Sequence, residues 1–570
     1  MDIRRTILLM IFSFSLLMLW NSWQVHQGNP PLFGAPPPKA APAATTPPAD
    51  AGAASSQTGV PTAPAQVSTP GAAPTVPGTS PAPATQAQTV IVKSDVLALT
   101  FDLQGAQLIR AELLIVPGKD DKKQPFVLLS REAGHTYVVQ SGLTGAPAGS
   151  LYPTHLANYK LVTEAKELSG NTLVVKFESE SSGVKLIKTF TLTRGSYAIA
   201  VDHQIENLSA QPVTPSVYLQ ITRDGSDPMG QSNTPSFLQG PISFTGPAVY
   251  SEQEKFQKIT FPEIEKRKAQ YIKQADNGWF AVVQHYFVTA WVPPQGKART
   301  YEVTELEKNL FAVRSIEAVG TINPGSQVSV PTKLWVGPQD QSELEAVAPG
   351  LELVVDYGLL TIIAKPVFTL MTWLFSLLGN WGWTIVALTF LIKAAFYPLS
   401  AASYRSMAKM KLVAPRLQAL REKFGDDRQK LNTAMMEMYR TEKINPLGGC
   451  LPIVIQIPVF ISLYYVLGSS VELRGAPWVL WIEDLSVQDP YFILPLIMMA
   501  TMFIQMKLNP TPPDPIQAKV MMFMPLVFGG MMFFFPSGLV LYWCVNNILS
   551  IAQQWHITNT IAKQAAASHR

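Results

Sequence analysis

Cysteine is nearly absent from this 570-residue chain: Cys450 and Cys544 are its two thiols, and everything before Cys450 has none. A disulfide framework or a cysteine zinc site is therefore excluded. Acid is missing where it would matter most. The apolar runs at 6–20, 381–399, 451–470, 491–507, 520–535 and 537–555 contain no Asp or Glu. Proton- and cation-coupled carriers usually need an intramembrane carboxylate or a midplane site on broken helices, so this absence argues against them. The histidines, among them His135, His155, His203 and His285, show no metal-ligand spacing, and no nucleophile motif occurs. No cofactor is expected. With 44 basic and 40 acidic residues the net charge of +4 says little. A mean hydropathy of +0.14 points to the membrane, and the placement of Lys and Arg around the apolar runs is what carries information.

What is present divides the chain into segments. Arg4 and Arg5 precede the apolar run 6–20, and no small-x-small cleavage site follows, so residues 1–23 read as an uncleaved signal anchor that starts in the cytoplasm. Residues 24–88 are Pro, Ala, Thr and Gly with almost no charge. Such a segment cannot bury enough surface to offset its ordering entropy and is expected to be a flexible tether. Residues 89–345 hold short alternating runs, such as Val96 to Phe101, Thr172 to Phe177 and Leu186 to Leu192, punctuated by Gly, Pro, Asn and Asp. Trp279 to Val283 reads as a further run of this kind. This pattern predicts one large antiparallel β-sandwich domain on the far side of the membrane, either a scaffold or a carbohydrate-binding domain. A short helical pattern, Ser342 to Ala348, leads out of it.

Six spans follow from the apolar runs once residues 346–380 are set aside as an amphipathic helix lying on the outer surface. Lys365 and Pro366 interrupt that segment, and both disfavour a crossing. The spans are then 1–23, 381–399, 451–470, 491–507, 519–535 and 537–555. The loop 400–447 becomes cytoplasmic and carries Arg405, Lys409, Lys411, Arg416, Arg421, Lys423, Arg428, Lys430, Arg440 and Lys443. The opposite loop, 471–490, sets Arg474 against Glu472, Glu483, Asp484 and Asp489. Counting 357–378 as a crossing would put the ten basic residues outside and break the positive-inside rule.

The basic loop has a helical period. Met410, Val413, Leu417, Leu420 and Phe424 recur at three-four spacing, and Leu431, Met435 and Met438 continue it, which predicts a helical hairpin with Asp427 as N-cap and a kink at Pro415. Its basic faces suit ribosomal RNA, anionic lipid or a targeting receptor, and equally a solvated coiled coil.

Lys393 stands inside the run 381–399. An ammonium near the bilayer centre costs roughly 2.5 to 3.5 kcal/mol, which makes it a candidate functional residue. On a continuous helix it lies roughly 18 Å below Trp381 and about 9 Å from Leu399, with Thr389 and Tyr397 on its face. Gln456, Asn546, Asn547 and Gln553 sit at comparable depth. These groups predict a hydrated recess open to the cytoplasm; a snorkelling lysine with amides gluing helices together is the competing reading.

Several stretches together carry a family resemblance: Tyr397-Pro-Leu, Ser406-Met-Ala-Lys-Met410, Asn445-Pro-Leu-Gly-Gly-Cys450, Ser470-Val-Glu-Leu-Arg474, Asp489-Pro-Tyr-Phe-Ile-Leu-Pro495 and Phe535-Pro-Ser-Gly-Leu-Val-Leu-Tyr542. The chain resembles the Gram-negative YidC membrane insertases over essentially its full length. The resemblance implies a five-span core around a hydrophilic groove, a periplasmic supersandwich, and a mobile cytoplasmic hairpin in a bacterial inner membrane. It implies nascent membrane proteins as substrates, handled alone or beside the SecYEG translocon, with ribosome or signal-recognition receptor contacts, membrane lipids, and no DNA. Catalysis is not implied. Lys393, Thr389, Tyr542 and Trp543 fall at groove positions, with lysine where the family usually has arginine and Trp543 where it has a second tyrosine. The tail 556–570 is short, with Lys563 and Arg570, and does not support tail-mediated ribosome binding. Outside the family, a tethered carbohydrate-active protein and a transporter are the alternative classes.

Overall fold

The computed structural model describes residues 88–118, 121, 123–226, 244–424, 427–442, 451–509 and 515–568. The expected signal anchor, nearly all of the tether and the Asn445 to Cys450 motif lie outside these residues. The chain divides into two compact units, one of strands up to Asp356 and one of helices from Tyr357 onward.

The β unit stacks two antiparallel sheets, each with nine strands among the described residues. From edge to edge, the first runs Thr89–Lys93, Leu97–Asp102, Gln107–Pro117, Pro125–Glu132, His135–Thr144, Ser216–Asp224, Leu310–Ala318, Arg299–Glu307 and Gln274–Ala275. The second runs Lys255–Lys258, Gly246–Ser251, Trp279–Gln284, Phe287–Val292, Gln327–Pro338, Ala198–Asn207, Val184–Thr193, Thr172–Ser181 and Lys160–Leu161. Thr172–Ser181 and Val184–Thr193 show the expected alternation of buried and open residues, one face on the core and one in water. Their two-residue turn, Ser182-Gly183, has φ of 51° and 71°, the left-handed pair that keeps the twist of the hairpin. Ser216–Asp224, Trp279–Gln284 and Phe287–Val292 are buried at every position, which corrects the alternation expected of Trp279 to Val283: both faces of that strand are covered. The sheets meet face to face. Phe101 of the first lies 5.2 and 4.8 Å from Phe177 and Phe190 of the second, and the Trp291 indole donates across to the Gln220 carbonyl at 3.4 Å. Asp340 caps the helix Gln341–Val347 by accepting from the Ser342 and Glu343 amides.

The helical unit contains α1 (Thr361–Leu378), α2 (Trp381–Ala395), α3 (Tyr397–Phe424), α4 (Arg428–Thr441), α5 (Leu451–Ser469), α6 (Ile493–Leu508), α7 (Pro515–Met532) and α8 (Ser537–Ser568). In α1 one face, Ala364, Phe368, Met371 and Leu374, is buried, while Ile362, Trp373 and Leu377 stay exposed. Among the described residues α1 is long and apolar enough to cross a membrane by itself, so length and composition do not demand that it lie flat. Gly379, at φ 62°, ends it, and Asn380 turns the chain by accepting from the Trp383 amide at the start of α2.

The span expected over 381–399 needs correction. α2 stops at Ala395, and α3 departs from it at an angle of 67°. Pro398 is the second residue of α3; without an N–H and with a ring that crowds the preceding turn, it opens a helix instead of continuing one. The last helix runs unbroken from Ser537 through Trp555 to Ser568, so most of the stretch expected as the tail is helical.

Asp427 caps α4 by accepting from the Gln429 and Lys430 amides. α3 passes through Pro415 as one helix, and Val413 and Leu417 on it pack with Met410, Met435, Met438 and Tyr439. Arg405, Lys409, Lys411, Arg416, Lys423 and Lys430 are exposed along the pair, Arg421 lies on α3, and Arg428 opens α4.

Candidate functional site

α8 is the post around which the polar groups gather. It packs against α2, α3, α5 and α6. Lys393 falls in the last turn of α2, where the carbonyl end of a helix favours a cation. The bend at Phe396 therefore moves it from mid-helix, as expected for an unbroken span, to a helix end. Its ammonium donates to Ser550 Oγ at 2.7 Å, and Ser550 donates in turn to the Asn546 carbonyl at 2.7 Å. Lys393 is half-buried, and no carboxylate pairs with it among the described residues.

The remaining candidates fall into separate groups. Gln456 of α5 donates to the Tyr542 hydroxyl of α8 at 2.5 Å. Asn547 turns the other way and donates to Thr501 Oγ1 of α6 at 3.2 Å. Trp543 packs between Phe460 of α5 and Phe528 of α7, with ring centroids at 4.5 and 5.5 Å. Thr389 does not present its hydroxyl to Lys393: it is buried and donates to the Ile385 carbonyl one turn back. Tyr397 shares no helix with Lys393, although its carbonyl accepts from Gln553 at 3.5 Å.

Sequence reasoning missed Ser550, Thr501 and the pair Gln554 to Asn509 (2.9 Å). Spacing was the available signal, since Asn546, Ser550 and Gln554 recur every fourth residue and share a helix face.

The end of the unit away from Lys393 is held together by bonds to backbone carbonyls and to a buried carboxylate. Asn380 donates to the Pro477 carbonyl, Ser537 to the Asp484 carbonyl, and Asp489 accepts from the Trp481 indole and the Tyr491 and Leu494 amides. Gly382 sits so close to Trp478 that a Cβ would lie 2.1 Å from its ring, so no side chain fits there.

Two family descriptions match the chain: "YidC periplasmic domain" over residues 89–370 and "60Kd inner membrane protein" over residues 373–564. The membrane protein insertase YidC of Bordetella parapertussis is 65% identical, with 100% of both chains covered. The chain belongs to the YidC family of membrane protein insertases. The YidC of Paraburkholderia phytofirmans is 52% identical over 99% of this chain and 100% of its own. A crystal structure of an active YidC insertase with its first transmembrane domain resolved is 18% identical, covering 82% of this chain and 92% of that one at a TM-score of 0.37. Membership of the YidC family makes this an inner-membrane insertase with a β-rich periplasmic domain followed by helices, and not an enzyme. The carbohydrate-active and transporter readings find no support among these relatives.

Proposed function

We propose that this insertase receives the polar flank of a nascent membrane protein in a cytoplasm-open groove whose cation is Lys393. The observation that carries the reading is the state of that side chain: half-buried among apolar helices, bonded to one hydroxyl, and matched with no carboxylate among the described residues. A lysine has three donors, so a substrate carboxylate can be met without first breaking an ion pair. The apolar part of the substrate then slides into lipid along α5 and α7, past Trp543, Phe460 and Phe528. Burial of the substrate helix drives the step, and the hydrated recess lowers the cost of moving its polar flank. Gln456, Tyr542 and Asn546 complete the polar lining, Thr389 supports it from within α2, and Asn547, expected in the lining, instead ties α8 to α6 beside it.

The same reading orients the protein. α1 lies flat at the outer surface, because the alternative would place the basic loop outside. The N-terminus and the α3–α4 hairpin are then cytoplasmic, with six spans in all. Arg405, Lys409, Lys411, Arg416, Arg421, Lys423, Arg428 and Lys430 form the hairpin surface for the ribosome, a signal-recognition receptor or anionic lipid, and the Sec translocon is the partner for larger substrates.

The test uses proteoliposomes and paired substrates that differ by an acidic or neutral flank. Lys393→Ala should lower insertion of the acidic member roughly tenfold or more, about the worth of one charge-assisted hydrogen bond, and Lys393→Arg should retain it. Equal loss for both members would end the attraction reading.

A further inference from the structure

We propose that Ser550 is the positioning residue for the groove cation and that Tyr404 links it to the first arm of the basic hairpin; this rests on the reading of Lys393 as the attracting charge. Ser550 is 3% exposed, and its proton is committed to the Asn546 carbonyl at 2.7 Å. Its oxygen therefore turns a lone pair outward and can only accept. That acceptor is met by Lys393 Nζ at 2.7 Å. A lysine carries a point charge on a flexible four-carbon stem, without the planar fork by which arginine fixes itself, so one rigid acceptor decides where the charge sits.

Tyr404 approaches the same serine from α3. Its ring is buried with Ala401 and Ile557, and Met407 and Ile561 pack around them, which holds α3 against α8 about two to three turns beyond Ser550. Lys393 of α2 thus meets this oxygen directly, and Tyr404 of α3 lies near it. α3 leaves α2 at the 67° bend that begins directly after Ala395, two residues past Lys393. A swing of the hairpin arm about that bend moves Tyr404 against Ser550 and so shifts the ammonium. The position of the hairpin is in this way passed to the groove charge by contact, through Ser550.

The experiment measures the acidic-to-neutral insertion ratio of the full-length protein in proteoliposomes. Ser550→Ala should lower the ratio roughly tenfold, Ser550→Thr should hold it within about twofold, and Tyr404→Phe, which keeps the packed ring, should lower it about threefold. Lys393→Ala is the reference. A shifted ratio for Lys393→Ala with unshifted ratios for Ser550→Ala and Tyr404→Phe overturns the positioning role alone. An unshifted ratio for Lys393→Ala overturns the underlying reading and the proposal with it. Loss of both substrates in parallel for Ser550→Ala and Ser550→Thr, with Tyr404→Phe unshifted, marks the serine as structural and also overturns the proposal.

Discussion

Two lysines, one in each unit, show how differently the two halves of this protein treat a buried charge. Lys188, in the strand Val184–Thr193, is fully enclosed; it donates to the Gly105 and Ser141 carbonyls of the opposite sheet at 2.6 and 2.7 Å and lies 4.6 Å from the Tyr159 ring. His203 beside it bonds to Ser141 Oγ at 2.9 Å. This cation is a staple between sheets, with carbonyls on two of its donors and no route for a ligand. Lys393 has one hydroxyl and remains half-open. The contrast teaches that burial alone does not mark a functional cation. Donors left available for a newcomer do.

If the sandwich is a scaffold, damage to its core should appear as lost stability and nothing else. Trp291 is 1% exposed and spans the sheets, so Trp291→Ala should destabilise the β unit by about 3–5 kcal/mol. Hydrogen exchange of Ser216–Asp224 in the full-length protein reads this directly. The acidic-to-neutral insertion ratio of the molecules that stay folded should not move; a change in it would break the separation between the two regions.

Lys188 sharpens the same comparison through pH. Burial lowers its ammonium from the usual 10.5 to about 7. Below pH 7 folded and unfolded chains both hold the proton, so this group contributes no slope. Between 7 and 10.5 only the unfolded chain holds it, and stability rises with pH, by about 2–3 kcal/mol from pH 7 to pH 9. Lys188→Met should erase that increment, measured by denaturant titration of β-unit exchange at the two pH values. A slope that survives the substitution would assign it to another group. His203 adds an acid-side effect in the same direction: burial first, then the neighbouring Lys188 charge, lower it to about 3, so stability falls as pH drops through 6.5.

The sandwich was legible where one face of a strand meets water. Thr172–Ser181 and Val184–Thr193 alternate because one side is wet, whereas Trp279–Gln284 was legible as a strand but not as an alternating one, because it is covered on both sides. In the helical unit, residue types pointed to Lys393, Gln456 and Asn546, since polar groups in apolar runs are rare. Their partners were less visible. Ser550 is an ordinary residue whose meaning comes from the tertiary contact, and the apolar run 381–399 hides the break that Pro398 imposes. Thr389 shows the opposite error: a hydroxyl one turn from the cation can satisfy itself on its own helix.

The smallest expected effect tests whether the helical unit uses its amides as the sandwich uses Lys188. Asn547 donates to Thr501 at 3.2 Å, and Thr501 donates onward to the Met498 carbonyl at 2.7 Å, a link that joins α8 to α6 away from Lys393. Between apolar helices such a bond is worth about 0.6 kcal/mol on average, because the separated helices also find partners. Asn547→Ala should therefore shift the unfolding of the helical unit in detergent only slightly. It should shift insertion of acidic-flank and neutral-flank substrates together, since no charge is held there. A loss of about 3 kcal/mol would make Asn547 a staple of the Lys188 kind. A selective loss for the acidic flank would instead extend the charge-reading surface beyond Lys393 and Ser550 to the neighbouring, α6-facing side of α8.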